Sequence, residues 1–395
     1  MKKVLIIGAG FLQMFFIKKA KDMGYYTLAV DADPNAPGFV FADKYEVINI
    51  VDEKACLSFA KENQIDGVLT AATEYGVLTA SYIAEKMNLP GLKYTSAQRV
   101  KNKYEVKKCF LQNHVDDSDD QCCLVDADTD IGTLAEQLCY PVIVKPCDGS
   151  GSRGTSRVDT PDGLSAACVF AMNSSISHRA EVESFADGME YGAESLVVNG
   201  EVHVLAIMKK WMTKPPYYAE LGHAIPCGLP ADVEKKAKKC IEKAIRALEI
   251  NFGAVNADMI ISDDGKVHIV DIGARMGGNM IGPCIIPYGT GIDYMAAMLE
   301  NAVGDFQGFK KSEPVAVATR LLAFSEGDIM NLPETEAFEK EFDVELYHHI
   351  TKGQHVNEYH TNLDGLGYIV AKGKTPEEAE EKAEKAYRYL SEVLF

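Results

Sequence analysis

The sequence predicts a parallel-sheet α/β domain at the N-terminus, an α+β region after it, and a small α+β domain at the end. Three observations carry this. The first hundred residues alternate short apolar runs with helical patterns; Pro141 to about Gly304 strings strand-like runs together with few helices; the tail ends in a capped helix. Alternating strand and helix builds a parallel sheet, whereas strings of strands build antiparallel layers.

In order, KKVLIIGAG reads as a strand and leads into a helix reaching about Met23. YYTLAVDAD is the next strand, followed by a helix over Glu53 to Asn63, the strand GVLTAATE and a helix over Tyr75 to Met87. Gly8-Ala9-Gly10 follows the first strand and Asp31 ends the second, which raises a dinucleotide site. Gln13 stands where the third glycine belongs, so a tight turn of small residues is the competing reading. Residues 96–114 predict a lysine-rich helix, and the acidic, patternless Val115 to Asp130 reads as a surface loop. PVIVKP, RAEVESF, AESLVVNGEVHVLAIMKK, FGAVNADMIIS and KVHIVDIGA then read as strands. In the tail, Thr375-Pro376-Glu377-Glu378 supplies a capping residue and an early proline for the closing helix.

Composition narrows the function. At 395 residues the chain divides into two to four domains. A net charge of −18 argues against binding nucleic acid or anionic lipid, since both require an excess of Lys and Arg on one face. Ten cysteines without a CxxC pair fit reduced thiols in a cytoplasmic protein. The basic, apolar start imitates a secretion signal, but Gly8, Gly10 and Gln13 interrupt it and lysines follow at once. No stretch approaches the roughly 18 apolar residues of a membrane span.

Two segments carry chemistry. Lys145 ends a strand, and Asp148-Gly149-Ser150-Gly151-Ser152-Arg153-Gly154 follows, offering N–H groups that glycine lets approach a phosphate. The lysine precedes the glycines and no Gly-Lys-Ser/Thr ends the loop, so this is a strand-loop-strand flap rather than a Walker A loop. The second segment is a hairpin. A two-residue Asp264-Gly265 turn, with Asp263 facing Lys266, places Asp258 directly opposite Asp271. Opposed carboxylates about 5 Å apart repel by about 3 kcal/mol at an effective dielectric near 20. A divalent cation shared with phosphate oxygens offsets that repulsion, and so does pairing with lysines. Arg275 adds positive charge nearby.

In this order, GAGFLQ, VDADP, Lys103 in NKYEVKKCF, VKPCDGSGSRG, EVESFADGMEYGAES, DMIIS…VDIGAR and GYIVAKGKTPEEA resemble the ATP-grasp superfamily of carboxylate–amine ligases, in particular its L-amino-acid ligase and carbamoyl-phosphate-synthase-like branch. The resemblance spans nearly the whole chain. It implies a Rossmann-like domain over 1–98, a small lid subdomain over 99–185 with a flap at 147–155, a large subdomain over 186–310 with the metal site, and a C-terminal α+β domain over 311–395. It also implies ATP with Mg2+, or Mn2+ in its place. Lys103 and Lys145 then meet ATP, as do Ser150, Gly151 and Ser152 of the flap, and Lys145 is also catalytic, stabilising the charge of the transferred phosphoryl group. Glu183 and Phe185 match the adenine hinge, Glu190 the ribose acceptor, Asp258 and Asp271 the metal carboxylates, and Arg275 the acyl-phosphate arginine.

Many members have Glu and Asn where this chain has Asp271 and Gly273, which brings a two-metal arrangement into question. Glu220-Leu-Gly-His223 resembles the acceptor segment of the L-amino-acid ligases, and Glu74, past a strand's carboxyl end, is placed to hold an ammonium group. Trp211 and Tyr217-Tyr218 are pocket or core residues. The expected reaction joins a small carboxylate to an amino-acid-like amine, and a homodimer is the default assembly. The alternatives are bicarbonate activation for carboxylation or carbamoyl transfer, a non-catalytic nucleotide-binding module, and an NAD-dependent oxidoreductase on the glycine turn.

Overall fold

The computed structural model describes residues 1–119, 121–149, 153–214 and 218–395. Ser150, Gly151, Ser152 and Tyr217 therefore lie outside the described residues.

The N-terminal sheet holds β1 (Lys3–Ile7), β2 (Tyr26–Asp31), β3 (Lys44–Val47) and β4 (Gly67–Thr70), all parallel in the order β3-β2-β1-β4. The first, second and fourth are almost wholly buried, as expected where helices cover both faces. All four residues of β3 are exposed, and KYEV alternates polar and apolar residues over only four positions, too short a run to announce a strand. The helices Glu53–Asn63 and Tyr75–Met87 stand where the periodicity puts them.

A second sheet contains β5 (Cys122–Val125), β6 (Val142–Pro146), β7 (Ser156–Val158) and β8 (Ala180–Ser184), antiparallel in the order β5-β8-β6-β7. Two expectations change here. The acidic segment 115–130 is not all loop, because β5 pairs with β8. The helix expected over 96–114 is two helices, Tyr94–Val100 and Lys103–Gln112, since the Asn102 side chain accepts from Glu105 N and starts the second.

The third sheet has eight antiparallel strands. In chain order these are β9 (Met189–Val198), β10 (Glu201–Met212), β11 (Glu220–Ile225), β12 (Gly253–Ile261), β13 (Val267–Gly273) and β14 (Ala316–Leu321), then β16 (Val344–His348) and β18 (Gly367–Gly373); the short β15 (Gly327–Asp328) and β17 (His355–Val356) pair apart. The order β13-β12-β9-β10-β11-β14-β18-β16 carries one sheet across residue 310 into the C-terminal region. The closing helix Pro376–Leu394 is capped by Thr375 and buries Ala379, Ala383, Ala386, Leu390 and Leu394 along one stripe.

The β12–β13 hairpin corrects its expected turn and keeps the expected pair. Its loop is Asp263-Asp264-Gly265, with Ser262 opposite Lys266 and Gly265 in the left-handed region at φ +76°. That is the geometry of a three-residue hairpin loop, so Asp263 does not face Lys266. A bulge then restores the register: Met259 pairs with Ile269 and Asp258 with Asp271, leaving Val270 as the extra residue.

Candidate active site

Two cavities meet where the three sheets converge, one of about 910 Å3 and one of about 310 Å3. Lys103, Glu190, Lys210, Asp258 and Asp271 line both, so the charged groups stand at the junction. Phe185, Trp211 and Tyr218 line the larger cavity only, while Glu74, Glu220, His223 and Arg275 line the smaller only.

At the junction each aspartate meets an ammonium. Asp271 Oδ1 lies 2.5 Å from Lys103 Nζ, and Asp258 Oδ1 lies 2.7 Å from Lys210 Nζ. Burial works against the Asp271 charge, but Lys103 holds its carboxyl below the usual range. Burial pushes Asp258 up to about 6 against the pull of Lys210, with Glu220 and Glu190 adding to the push. Lys210 also meets Glu190 at 2.7 Å and Glu220 at 2.6 Å, and its side chain is only 1 % exposed. Burial opposes the charge of Lys210, yet the three carboxylates raise its pKa far above that of a free lysine. Among the described residues no three His, Cys, Asp or Glu side chains form a ready metal cage. The Asp258–Asp271 pair fits a hard cation that completes its shell with phosphate oxygens.

Behind the junction, the β6–β8 register sets Lys145 opposite Glu181 and Ile143 opposite Glu183, so both carboxylates share the lysine's face. Lys145 Nζ is 2.5 Å from Glu183 and 3.3 Å from Glu181, and it donates to the Val270 carbonyl at 3.0 Å. The bulge in β13 thus offers a main-chain acceptor that a lysine of another sheet captures. Lys107 meets Glu183 from its other side at 2.9 Å. Against burial, Lys145 and Lys107 hold Glu183 down to about 2, while burial outweighs Lys145 at Glu181 and pushes it up to about 7. The carboxylate of Glu183, which the resemblance places at the adenine hinge, is 3 % exposed and engaged by two lysines. Arg157 stacks on Phe185 at 4.3 Å.

On the other side, Arg275 Nε pairs with Glu74 Oε1 at 2.7 Å, and its Nη1 donates to Asn256 Oδ1 at 3.2 Å. Asn256 Nδ2 in turn donates to the fully buried Glu194 at 3.0 Å. Glu194 also accepts from Tyr294 Oη at 2.6 Å and from Gly277 N. This clamp fixes the loop that carries Arg275.

Glu220 accepts from the side-chain amides of Asn279 and Asn362 as well as meeting Lys210, and against burial Lys210 and His223 bring it down to about 2. His223 is 1 % exposed, its Nδ1 has no partner among the described residues, and burial lowers its pKa to about 4. It is neutral at physiological pH.

The glycine turn after β1 does not hold an open cradle. Gln13 Nε2 donates to Ala71 O, and a Cβ at Gly10 would lie 2.9 Å from Gln13 Oε1. Asp31, the candidate ribose acid, accepts from Ala9 N at 2.8 Å and Asp33 N at 3.0 Å.

Comparison with known proteins matches two segments of the chain to known domains. Residues 138–283 match the ATP-grasp domain family, and residues 320–393 match L-amino acid ligase C-terminal domain 2. The chain carries an ATP-grasp domain. The uncharacterized protein y4rH of Sinorhizobium fredii (strain NBRC 101917 / NGR234) is 23% identical to this chain over 372 residues, 90% of this chain and 75% of that protein. The D-alanine–D-alanine ligase of Cupriavidus necator is 27% identical over 184 residues, 43% of this chain and 54% of the ligase. Two solved structures share the fold: L-amino acid ligase from Bacillus licheniformis, with a TM-score of 0.82, 23% identity and coverage of 98% of this chain and 97% of that one, and phosphoribosylglycinamide synthetase from Anaerococcus prevotii, with 0.78, 24%, and 98% of each chain.

Sequence reasoning passed over Lys210, Lys107, Glu181 and Glu194. Lys210 had a signal in the strand run VLAIMKKW: Met208 and Lys210 alternate inward, buried to 0 % and 4 % exposure, while Lys209 and Trp211 stay partly exposed. Its stem passes Gly192, where a Cβ would lie 3.6 Å from Lys210 Cδ.

Proposed function

We propose that the protein is an ATP-dependent ligase joining a small carboxylate to an amine through an acyl phosphate, with release of ADP and phosphate. One observation carries the reading: a charged junction of lysines and carboxylates connects a nucleotide-sized cavity to a smaller polar one. The match of the C-terminal region to the L-amino acid ligase domain supports an amino-acid-like substrate.

In the first step a substrate carboxylate oxygen attacks the γ-phosphorus of ATP, and the bond to the ADP oxygen breaks. In the second the amine nitrogen attacks the acyl carbon, the carbon–oxygen bond to phosphate breaks, and the amine's proton passes to the departing phosphate. On this reading Lys103, at the start of its helix, meets the phosphates, and Glu190 accepts from the ribose hydroxyls. Asp258 and Asp271 would hold the divalent cation, which when bound neutralises phosphate charge. Arg275, fixed by Glu74 and Asn256, stands at the smaller cavity to stabilise the oxyanion charge of the acyl phosphate. Glu74, Glu220 and His223 line that cavity as substrate residues, and neutral His223 can hydrogen-bond without adding charge. The reaction requires that water be kept from the acyl phosphate, which it would otherwise hydrolyse.

The test is phosphate release from magnesium-ATP across a matrix of amino acids and small carboxylates, with mass spectrometry of condensed products and an Asp271→Asn control. Release that requires both carboxylate and amine, and is lost in the control, supports the ligase. Release with bicarbonate alone transfers the reading to a bicarbonate-activating enzyme. ATP binding with no turnover across the whole matrix favours a nucleotide-binding module.

A further inference from the structure

How many divalent cations the site can take follows from its oxygens, on the nucleotide reading proposed above. We infer that the ammonium of Lys210 stands in place of one of the two divalent cations of the family pattern, so that this chain binds a single divalent cation with its nucleotide.

Few oxygen donors around the β12–β13 hairpin are free for a cation. Gly273 offers no side chain where many members have Asn. Its cross-strand partner Asn256 cannot take over, because its amide nitrogen donates to Glu194 at 3.0 Å and its amide oxygen accepts from Arg275 at 3.2 Å. Asp258 has already given Oδ1 to Lys210 at 2.7 Å. Asp271 Oδ1 meets Lys103 at 2.5 Å and accepts from Ile272 N at 3.0 Å, so one magnesium-like ion spanning Asp271 and the second oxygen of Asp258 uses the carboxylate oxygens left, and a second ion would have only a shared Asp271 without the side chain that Gly273 lacks.

The two lysines at the junction differ in freedom. Lys103, on Asp271, has a side chain 18 % exposed at the start of its helix and can swing from the aspartate to a phosphate. The side chain of Lys210 is 1 % exposed, and three carboxylates at 2.6 to 2.7 Å surround its ammonium. A cation that drew Asp258 away would still leave Glu190 and Glu220 around the ammonium, so Lys210 stays in place, whereas moving it out of the cluster would strand a buried charge. Its charge is therefore a fixed part of the site, joining Glu190 and Asp258 on the nucleotide side to Glu220 on the substrate side.

The experiment counts Mn2+ bound per chain, from the electron-paramagnetic signal of free Mn2+, at saturating non-hydrolysable ATP analogue; calorimetry measures binding of the analogue separately. One Mn2+ per chain is expected for the native protein, two for Lys210→Met, and one for Lys210→Arg, which keeps the charge. Two per native chain would overturn the inference, as would a count of one for Lys210→Met. If Lys210→Met does not fold by circular dichroism, Lys210→Gln takes its place, and the native count decides against the inference whichever variant folds. Absence of analogue binding to the native chain would instead overturn the nucleotide reading, and this inference with it.

Discussion

The carboxylate of Glu74 fills the volume that a side chain at Gly273 would need: a Cβ there would stand 2.5 Å from Glu74 Oε1. Glu74 belongs to the N-terminal domain, just before the helix Tyr75–Met87, and Gly273 closes β13 of the large sheet. The glycine is thus the condition for the Glu74–Arg275 pair. Gly273→Asn must push Glu74 off Arg275, leaving the arginine without its carboxylate partner. The expected outcome is a fall of about tenfold or more in kcat/KM for the condensation, with little change in thermal midpoint. Unchanged kinetics would show that the ion pair plays no part in turnover.

The Lys145 cluster makes a prediction about stability. Lys145 and Glu183 are 11 % and 4 % exposed at the side chain, and removing one partner of such a pair leaves a buried charge uncompensated. Lys145→Met is expected to cost roughly 3 to 5 kcal/mol in urea unfolding, whereas Lys107→Met should cost much less in a Glu183→Leu background than in the native one. The acid limb follows from the same carboxylate. Lysines hold Glu183 down to about 2 in the fold against an ordinary value of 4.5. Its contribution is present above about pH 4.5 and is lost as pH falls through about 2. Equal costs of Lys107→Met in the two backgrounds would show no coupling.

Periodicity reads elements whose one face is apolar, and it is silent where packing is decided by partners far along the chain. The Tyr75–Met87 helix was legible because Val77, Ala80 and Ala84 recur at helical spacing over thirteen residues, whereas β3 alternates polar and apolar residues over only four and is exposed along its length. Opposition of Asp258 to Asp271 was legible from strand register, although the turn beside it was not: the three-residue loop and the bulge at Val270 shift the ladder in compensating directions. Lys107 and Glu194 could not be read as site-supporting groups, since their roles depend on partners 76 and 62 to 100 residues away in sequence. Asp116 and Asp117, in what read as a surface loop, accept from Ile269 N at 2.7 Å and Val267 N at 2.8 Å and cover the open edge of β13.

Gln13 separates the glycine turn from a dinucleotide site. Its side chain packs over Gly8 and Gly10, where a Cβ would lie 3.3 Å from Gln13 Cγ and 2.9 Å from Gln13 Oε1 respectively. A pyrophosphate needs that backbone bare. Calorimetric titration with NAD is expected to show no binding at millimolar concentration, and saturable binding with a 1:1 endpoint would restore the oxidoreductase reading.

Glu194 gives the pH dependence of the Arg275 support a definite sign. Burial pushes its pKa up to about 7 although Tyr294, Asn256 and Gly277 pull it down, against an ordinary 4.5. Between those values the folded chain binds more protons at this site than the unfolded one, so the stabilising contribution is complete below about pH 4.5 and is lost as pH rises through about 7. His223 acts in the opposite sense: held down to about 4 from 6.5, its contribution is present above about pH 6.5 and fades as pH falls toward 4. The two overlap, so the total stability curve conceals both, and the difference between native and Glu194→Gln isolates the carboxyl. Measured by urea unfolding from about pH 5 to about pH 8, native stability relative to the variant should be greatest at the acid end and decline toward the alkaline end. A difference that stays flat over this range would mean that Glu194 titrates as an ordinary carboxyl, and that its four hydrogen bonds outweigh its burial.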